Sequence, residues 1–133
     1  MKTLVLLCCF IGIFSASEYA VITSKKSPFS TATAQQIRDI FLMKRHSLGD
    51  QKVIPINLVG QEDSRILFES QIIRMNRESL NTYWIKQHFQ GISPPITQSS
   101  SESVKLFVQN VEGAIGYIPA SMVDSGVKVI YEF

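Results

Sequence analysis

The sequence predicts an α/β protein in which a mixed sheet is flanked by helices. Short apolar runs typical of buried strands alternate with segments whose apolar residues recur every three or four positions, as in amphipathic helices. Strands separated by helices favour a layered structure with at least one right-handed parallel crossover. The predicted element order is β-α-β-α-α-α-β-β. At 133 residues the chain has the size of one domain and can bury a core without disulfides or metal ions.

Four segments have the composition of strands, being apolar, rich in β-branched residues and bounded by turn residues. They are residues 19–23, 53–59, 114–118 and 127–133. Pro55 indicates that the second strand has an exposed beginning or lies at an edge, because proline cannot donate to a strand ladder. Residues 92–98 contain two prolines and are predicted to be an irregular connection.

Capping residues and apolar periodicity predict four helices. Thr33 with Gln36, and Ser99 with Glu102, have the spacing of a capping box, in which each side chain satisfies one free backbone donor. Asn76 is a residue type that caps helices alone, and it precedes the third predicted helix. We therefore expect these residues to mark where three of the helices begin.

Residues 1–17 have the pattern of a secretory signal peptide. Lys2 precedes an apolar run over residues 4–14, and small residues then lead to the polar Glu18. We expect cleavage between Ser17 and Glu18. A membrane anchor is the competing interpretation, but a spanning helix needs about 20 apolar residues.

Both cysteines of the chain lie inside this predicted leader. Cys8 and Cys9 sit within the apolar run and do not follow a small-residue box at its end, which disfavours a lipoprotein. Residues 18–133 then contain no disulfide, thiol nucleophile or thiolate metal ligand. An exported domain of this kind relies on its hydrophobic core, which suits the bacterial periplasm. We expect residues 18–133 to form a single periplasmic domain.

The charged and titratable residues exclude several function classes. The net charge of +2 is too small for the basic footprint of a nucleic-acid binder. His46 lies in a polar turn and His88 extends the apolar stripe of the third helix, and neither has a second ligand at metal spacing. Ser64 is not surrounded by a glycine elbow. We expect no metal site, no cofactor and no enzymatic activity.

The segment 60–65 (GQEDSR) links a predicted strand to the second predicted helix. Backbone N–H groups and the helix dipole at such a junction can bind an anion. Ser64 would add a hydroxyl donor, and Arg65 a fork of donors suited to phosphate or carboxylate. Glu62 and Asp63 bring negative charge to the same helix end and are able to satisfy its free donors themselves. These residues alone favour a structural cap over a ligand site.

The ordered segments of the chain resemble phosphate ABC transporter substrate-binding proteins, most of all the short, single-lobe members of that group. The segments are IRDIFLMKRHSLGD, VIPINL, SRILFE, YWIKQHFQG, GAIGYI and VKVI. The similarity runs from about residue 19 to residue 133 and is most specific at residues 40–42 and 113–117. It implies a single lobe of the type II periplasmic-binding-protein (PBP) kind. In two-lobed members the lobes close around a tetrahedral oxyanion.

The resemblance also implies a ligand site. The family's Ser-Gly-Thr-Arg loop, with a Phe three residues after the Arg, falls on residues 62–65 and Phe68. Arg65 and Phe68 are kept and Ser64 stands in for the Thr, whereas the two residues before Ser64 are acidic. The resemblance therefore implies Ser64 and Arg65 as ligand-binding residues for phosphate or another oxyanion.

Two functional hypotheses follow from this resemblance. The first is an exported solute-binding-like domain that binds phosphate or another oxyanion. The second is a periplasmic protein-interaction module that keeps the lobe fold but has lost small-ligand binding. Its partner would be a membrane transport or sensor protein, or a second copy of the chain. The acidic residues in the loop and a length that fits one lobe motivate the second hypothesis.

Overall fold

The computed structural model describes residues 17–133, and it contains a five-stranded mixed sheet. Its strand order is β5-β4-β6-β1-β7, in which β4 is parallel to both β5 and β6, and β1 is antiparallel to β6 and β7. The strands are β1 Tyr19–Ser24, β2 Ser47–Leu48, β3 Gln51–Lys52, β4 Ile54–Leu58, β5 Ile96–Gln98, β6 Ala114–Pro119 and β7 Val127–Glu132. Strands β2 and β3 form a separate small hairpin.

The described residues 17–133 contain four α-helices. They are α1 Ala34–Phe41, α2 Asp63–Phe68, α3 Arg77–Phe89 and α4 Ser101–Asn110. A π-helical turn, Glu69–Ile73, continues α2, and a short 3₁₀ turn, Ala120–Met122, follows β6. Among residues 17–133, none of the helices has the length and apolar character needed to cross a membrane.

The helix-start signals at the first and third helices are confirmed. The Thr33 hydroxyl accepts from the Gln36 backbone N–H at 3.1 Å, and the Gln36 side chain accepts from the Thr33 N–H at 2.9 Å. The Asn76 side chain accepts from the backbone N–H of Ser79 at 2.8 Å. Two local hydrogen-bonding patterns therefore position α1 and α3 independently of the sheet.

Three local predictions are wrong. Residues 96–98 form edge strand β5, paired in parallel with β4, and not an irregular connection. The cap of α4 is Ser100, whose hydroxyl accepts from the Ser103 N–H at 3.1 Å, and not Ser99. His88 is exposed and does not extend a buried stripe, because α3 buries only Leu80 fully.

Other elements pack against both faces of the sheet, as two neighbouring residues of β6 that point in opposite directions show. A Cβ at Gly116 would lie 2.5 Å from Val104 and 3.3 Å from Val108, so this face of β6 lies directly against α4. The next residue, Tyr117, points the other way and stacks on Phe68 with ring centroids 4.1 Å apart. The predicted α/β class, a mixed sheet flanked by helices, is confirmed.

The predicted leader, residues 1–17, lies outside the described residues except for Ser17. Ser17 and Glu18 are both exposed where the described chain begins. The cleavage between them and the single-domain boundary at residue 18 stay predictions.

Candidate functional site

The β4–α2 junction, residues 58–65, lies at the edge of the sheet where the parallel strands β4 and β5 end. The backbone N–H of Val59 donates to the carbonyl of Gln98 at 3.1 Å, which extends the pairing of β4 and β5 to their carboxyl ends. Both strands then lead into helices, α2 and α4, whose first residues are Asp63 and Ser101. Ligands of open α/β sheets bind outside the carboxyl ends of the strands, so this edge is the first place to look for a site.

The first turn of α2 is not capped by the carboxylate at its N-cap position. Glu62 occupies that position, and its side chain accepts no hydrogen bond from the turn. The backbone carbonyl of Glu62 accepts from Arg65 and Ile66 at 3.0 and 3.1 Å, as in an ordinary first turn. Glu62 and Asp63 are both exposed. The interpretation that Glu62 serves as a structural cap is therefore wrong.

Ser64 and Arg65, the two predicted ligand-binding residues, lie in this first turn with different surroundings. Ser64 is 6% exposed. Arg65 retains 18% of its side-chain exposure, and its guanidinium is held at two points. Its Nε donates to Glu69 at 2.8 Å and its Nη1 donates to the carbonyl of Leu58 at 2.8 Å. The end of β4 therefore positions Arg65 at the strand-to-helix junction.

Glu69 is the acidic centre of this arrangement and is only 5% exposed. One carboxylate oxygen accepts from Arg65, and the other lies 2.8 Å from Nε of Arg77, the first residue of α3. Arg77 also donates through Nη2 to the carbonyl of Gly60. We call Arg65, Glu69 and Arg77 the Glu69 cluster. Two guanidinium groups against one carboxylate leave it with a net charge of +1.

Gly60 permits the close approach of Arg77 to the junction. A Cβ at this position would lie 2.7 Å from the Arg77 Nη1 atom, closer than real Cβ atoms approach a neighbouring heavy atom. A side chain at residue 60 would therefore push the guanidinium away from the loop carbonyl. The glycine that follows the strand is explained by this contact.

A buried tyrosine, Tyr117, supports the β4–α2 junction through contacts with the end of β4. The Tyr117 hydroxyl donates to the Asn57 side chain and accepts from the Leu58 N–H at 3.4 Å. Its ring stacks on Phe68, whose own ring meets Phe41 edge-on at 4.7 Å between centroids. Burial raises the pKa of the Tyr117 phenol well above its usual range, although the nearby positive charge of Arg65 opposes the shift. Tyr117 therefore stays neutral and anchors the end of β4.

Ser64 and Arg65 were predicted from the sequence as site residues, whereas Glu69 and Arg77 were not. The spacing of Arg65 and Glu69 is i, i+4, which brings opposite charges together on a helix face, and this signal was present in the sequence. No local signal indicated Arg77, because the chain reaches it only after the π-helical turn. The described residues 17–133 hold no cluster of three His, Cys, Asp or Glu side chains that suits a metal ion.

The fold of this chain is similar to the folds of solved structures. No protein-family model matches the chain, and no curated protein matches it by sequence. Solved structures do match. One is assigned as a phosphate ABC transporter substrate-binding protein from Clostridium perfringens and was solved with bound phosphate; it has 26% identity and a TM-score of 0.68.

Two further structures show the same fold at lower identity. An ABC-type phosphate transport receptor from Vibrio cholerae is 20% identical with a TM-score of 0.68, and PstS from Borrelia burgdorferi is 16% identical with a TM-score of 0.65. Each of the three matches covers 86% of this chain, but only 44%, 45% and 46% of the respective solved chains. This chain therefore spans less than half the length of those proteins.

The resemblance stated from the sequence is confirmed by these structures. The mixed five-stranded sheet with its helices matches a PBP-type lobe of the phosphate ABC transporter substrate-binding proteins. The chain has a solute-binding-like fold.

Proposed function

We propose that this protein is an exported solute-binding-like domain that binds phosphate or another tetrahedral oxyanion at the β4–α2 junction. The observation that carries the proposal is the guanidinium of Arg65, which is held by Glu69 and Leu58 at the carboxyl edge of a sheet whose fold matches phosphate-binding proteins. A preorganised guanidinium loses less side-chain entropy when it binds an anion than a free one does.

The ligand would be bound by neutral and charged donors together. Nε and Nη1 of Arg65 are engaged within the protein, and Nη2 would donate to the oxyanion. The Ser64 hydroxyl and the backbone N–H groups of the first turn of α2 would complete the set. Arg77 offsets the negative charge of Glu69, so the Glu69 cluster attracts an anion rather than repelling it.

The exposed carboxylates of Glu62 and Asp63 weaken binding in this proposal. A carboxylate about 4 Å from a bound anion repels it by about 1 kcal/mol in water, and by more where the site is shielded. We therefore expect a lower affinity than a neutral loop would give.

Calorimetry with phosphate and sulfate tests the proposal directly. We expect saturable binding to the wild-type protein and a loss of about 10–100-fold in affinity for Arg65→Ala, since a charge-assisted hydrogen bond contributes about 1.5–3 kcal/mol. Arg45→Ala is the matched control, because Arg45 is exposed and the variant loses the same charge. Absence of binding at millimolar anion, or equal binding by wild type and Arg65→Ala, would overturn the site.

A second variant is designed to increase affinity. Glu62→Ser with Asp63→Gly removes both carboxylates from the loop, and we expect phosphate affinity to rise about fivefold for each charge removed. An unchanged affinity would show that these carboxylates lie too far from the ligand to matter.

Export and a transporter partner belong to the same proposal. The predicted leader and the assignment of the matched structures to phosphate ABC transporters support both. Expression of the full chain in a Gram-negative host, followed by periplasmic fractionation and N-terminal sequencing, tests export. We expect the mature protein to begin at Glu18, whereas an unprocessed chain in the cytoplasm would contradict export.

A protein-interaction function is the second candidate, and exposed apolar side chains on α3 favour it. Phe89 is 85% exposed and Ile85 is 59% exposed, and their i, i+4 spacing places them on one face of the helix. The partner we propose is a second copy of the chain. Sedimentation would then show a dimer that Phe89→Glu dissociates, with the exposed polar Gln90→Glu as control. A strictly monomeric wild-type protein would exclude this partner.

A further inference from the structure

A small cavity lies between α1 and the π-helical turn, away from the contacts that hold the Glu69 cluster. Its volume is about 220 Å³. The residues that line it are Ala34, Gln35, Arg38, Ile72 and Arg74. Two of the five are arginines and none is acidic. The lining of the cavity therefore carries two positive charges and no negative charge, on a protein of small net charge.

Arg38 is the more buried of the two arginines. Its Nε is buried and has no hydrogen-bond partner, the only buried side-chain nitrogen or oxygen in residues 17–133 of which this is true. Leaving a buried donor without an acceptor destabilises the folded state, and does so more strongly for a charged group. Such a group in a folded protein needs an explanation, and a bound ion is one of the few that apply.

Arg74 reaches the cavity from a strained backbone position. It follows the π-helical turn with φ 58° and ψ 37°, in the left-handed region that favours glycine. Its Nε makes only a long hydrogen bond, 3.4 Å, to the carbonyl of Gln71. An arginine at a position that disfavours any side chain is understandable if its charge is used there.

Neither arginine forms an ion pair with a carboxylate among residues 17–133. Within residues 17–133, the three ion pairs are those of Glu69 with Arg65 and Arg77, and of Lys105 with Asp124. Asp39 is adjacent to Arg38 in sequence, but its carboxylate accepts from the Gln35 amide at 2.9 Å. Two like charges that face one cavity repel each other unless an anion lies between them.

We propose that this cavity is a second oxyanion-binding site, formed by Arg38 and Arg74 and separate from the β4–α2 junction. Two guanidinium groups suit a doubly charged tetrahedral oxyanion such as phosphate or sulfate, since each can donate two parallel hydrogen bonds. A cavity of about 220 Å³ is smaller than the 300–1,000 Å³ typical of drug-sized ligands, so the ligand is a small ion and not a nucleotide.

NMR titration with inorganic phosphate and with sulfate tests the site, with sodium acetate as a singly charged comparison. We expect saturable shifts in the backbone amides of residues 34–38 and 72–74 at millimolar dianion, and at least tenfold weaker binding of acetate. Arg38→Gln and Arg74→Gln should each weaken dianion binding at these amides by at least tenfold. Arg45→Gln, at an exposed arginine outside the cavity, should leave it unchanged.

Arg65→Ala separates this site from the β4–α2 junction. The shifts at residues 34–38 should persist in that variant, even if binding at the junction is lost or never existed. Two results would overturn the cavity site: no saturable shift at residues 34–38 and 72–74, or shifts that persist in Arg74→Gln. Because Arg74 is exposed, that variant tests the site even if Arg38→Gln fails to fold.

Discussion

Arg65 and Arg77 share the buried carboxylate of Glu69, whereas Arg38 and Arg74 line a cavity without any carboxylate. The two groups adjoin the same π-helical turn, since Glu69 begins it and Arg74 follows it. In the Glu69 cluster the charges are satisfied within the protein. In the Arg38–Arg74 cavity the arginines lack a counter-charge among residues 17–133.

This difference separates arginines whose charges are paired with a carboxylate of the protein from arginines whose charges are not. Removing the partner of a buried ion pair is costly because it leaves an uncompensated buried charge. Removing one of two unpaired like charges relieves their repulsion and therefore causes little loss of folding stability. Substitutions in the two regions should therefore change stability in opposite directions, while both pairs affect anion binding.

Glu69→Gln should have the largest effect on stability. It removes the charge that Arg65 and Arg77 share, and we expect the free energy of unfolding to fall by about 3 kcal/mol. Urea denaturation followed by circular dichroism measures the change. Glu112→Gln, at an exposed position, is the matched control and should change stability by less than about 0.5 kcal/mol. A loss below about 1 kcal/mol for Glu69→Gln would show that the cluster is not needed for stability.

Tyr117→Phe should cost about 1 kcal/mol, because it removes one hydrogen bond to the Asn57 side chain, which then accepts only from the Leu58 N–H. It should also change the alkaline pH dependence. Burial raises the pKa of Tyr117 in the folded state, so wild-type stability is complete below the unfolded pKa of about 10 and declines as pH rises beyond it. Urea denaturation at pH 8 and pH 10.5 should show a smaller decline for Tyr117→Phe than for wild type. An equal decline would contradict the pKa shift.

Arg74→Gly should stabilise the protein by about 0.5–1 kcal/mol, because it relieves the positive φ and removes one of the two facing charges. Met43→Gly is the matched control. Met43 has φ 59° just after α1, where Lys44 donates to the carbonyl of Asp39 at 2.8 Å, as in a Schellman motif. Because Met43 is uncharged, the excess gain of Arg74→Gly measures charge repulsion. This difference in stabilisation between the two variants should decrease when sulfate is added. If the two variants are stabilised equally, Arg38 and Arg74 do not repel each other measurably.

Arg77→Ala should have the smallest effect, a loss below about 1 kcal/mol. Its side chain is 51% exposed and Glu69 keeps Arg65 as a partner, so we expect a loss close to the roughly 0.2–1 kcal/mol of a solvent-exposed ion pair. Thermal denaturation at low salt and at 1 M NaCl measures it, and the difference from wild type should diminish at high salt. A loss as large as that of Glu69→Gln would show that Arg77, not Arg65, is the main partner of Glu69.

Much of the fold was predictable because its signals are local. The capping box at Thr33 and the cap at Asn76 depend on residues three positions apart, and both hydrogen bonds form as the sequence indicates. The buried strands β1 and β6 were recognisable as apolar runs. Strand β5 was not, because its three residues follow two prolines and become a strand only by pairing with β4.

The candidate site was predictable only in part. Ser64 and Arg65 were placed correctly at a strand-to-helix junction, and the i, i+4 spacing of Glu69 was readable from the sequence. The approach of Arg77 to Gly60 was not, because it spans 17 residues and depends on how the π-helical turn directs the chain.

The sequence by itself determined the alternation of strands and helices, most of the helix starts and the resemblance to phosphate-binding proteins. The strands, helices and helix starts depend on spacings of two to four residues, which hydrogen bonding and side-chain periodicity control directly, whereas the resemblance depends on the order of segments along the chain. Only the tertiary structure decided which arginines are neutralised and which are not. That outcome depends on the packing of α1, the π-helical turn and α3, which brings together charges that no local pattern relates.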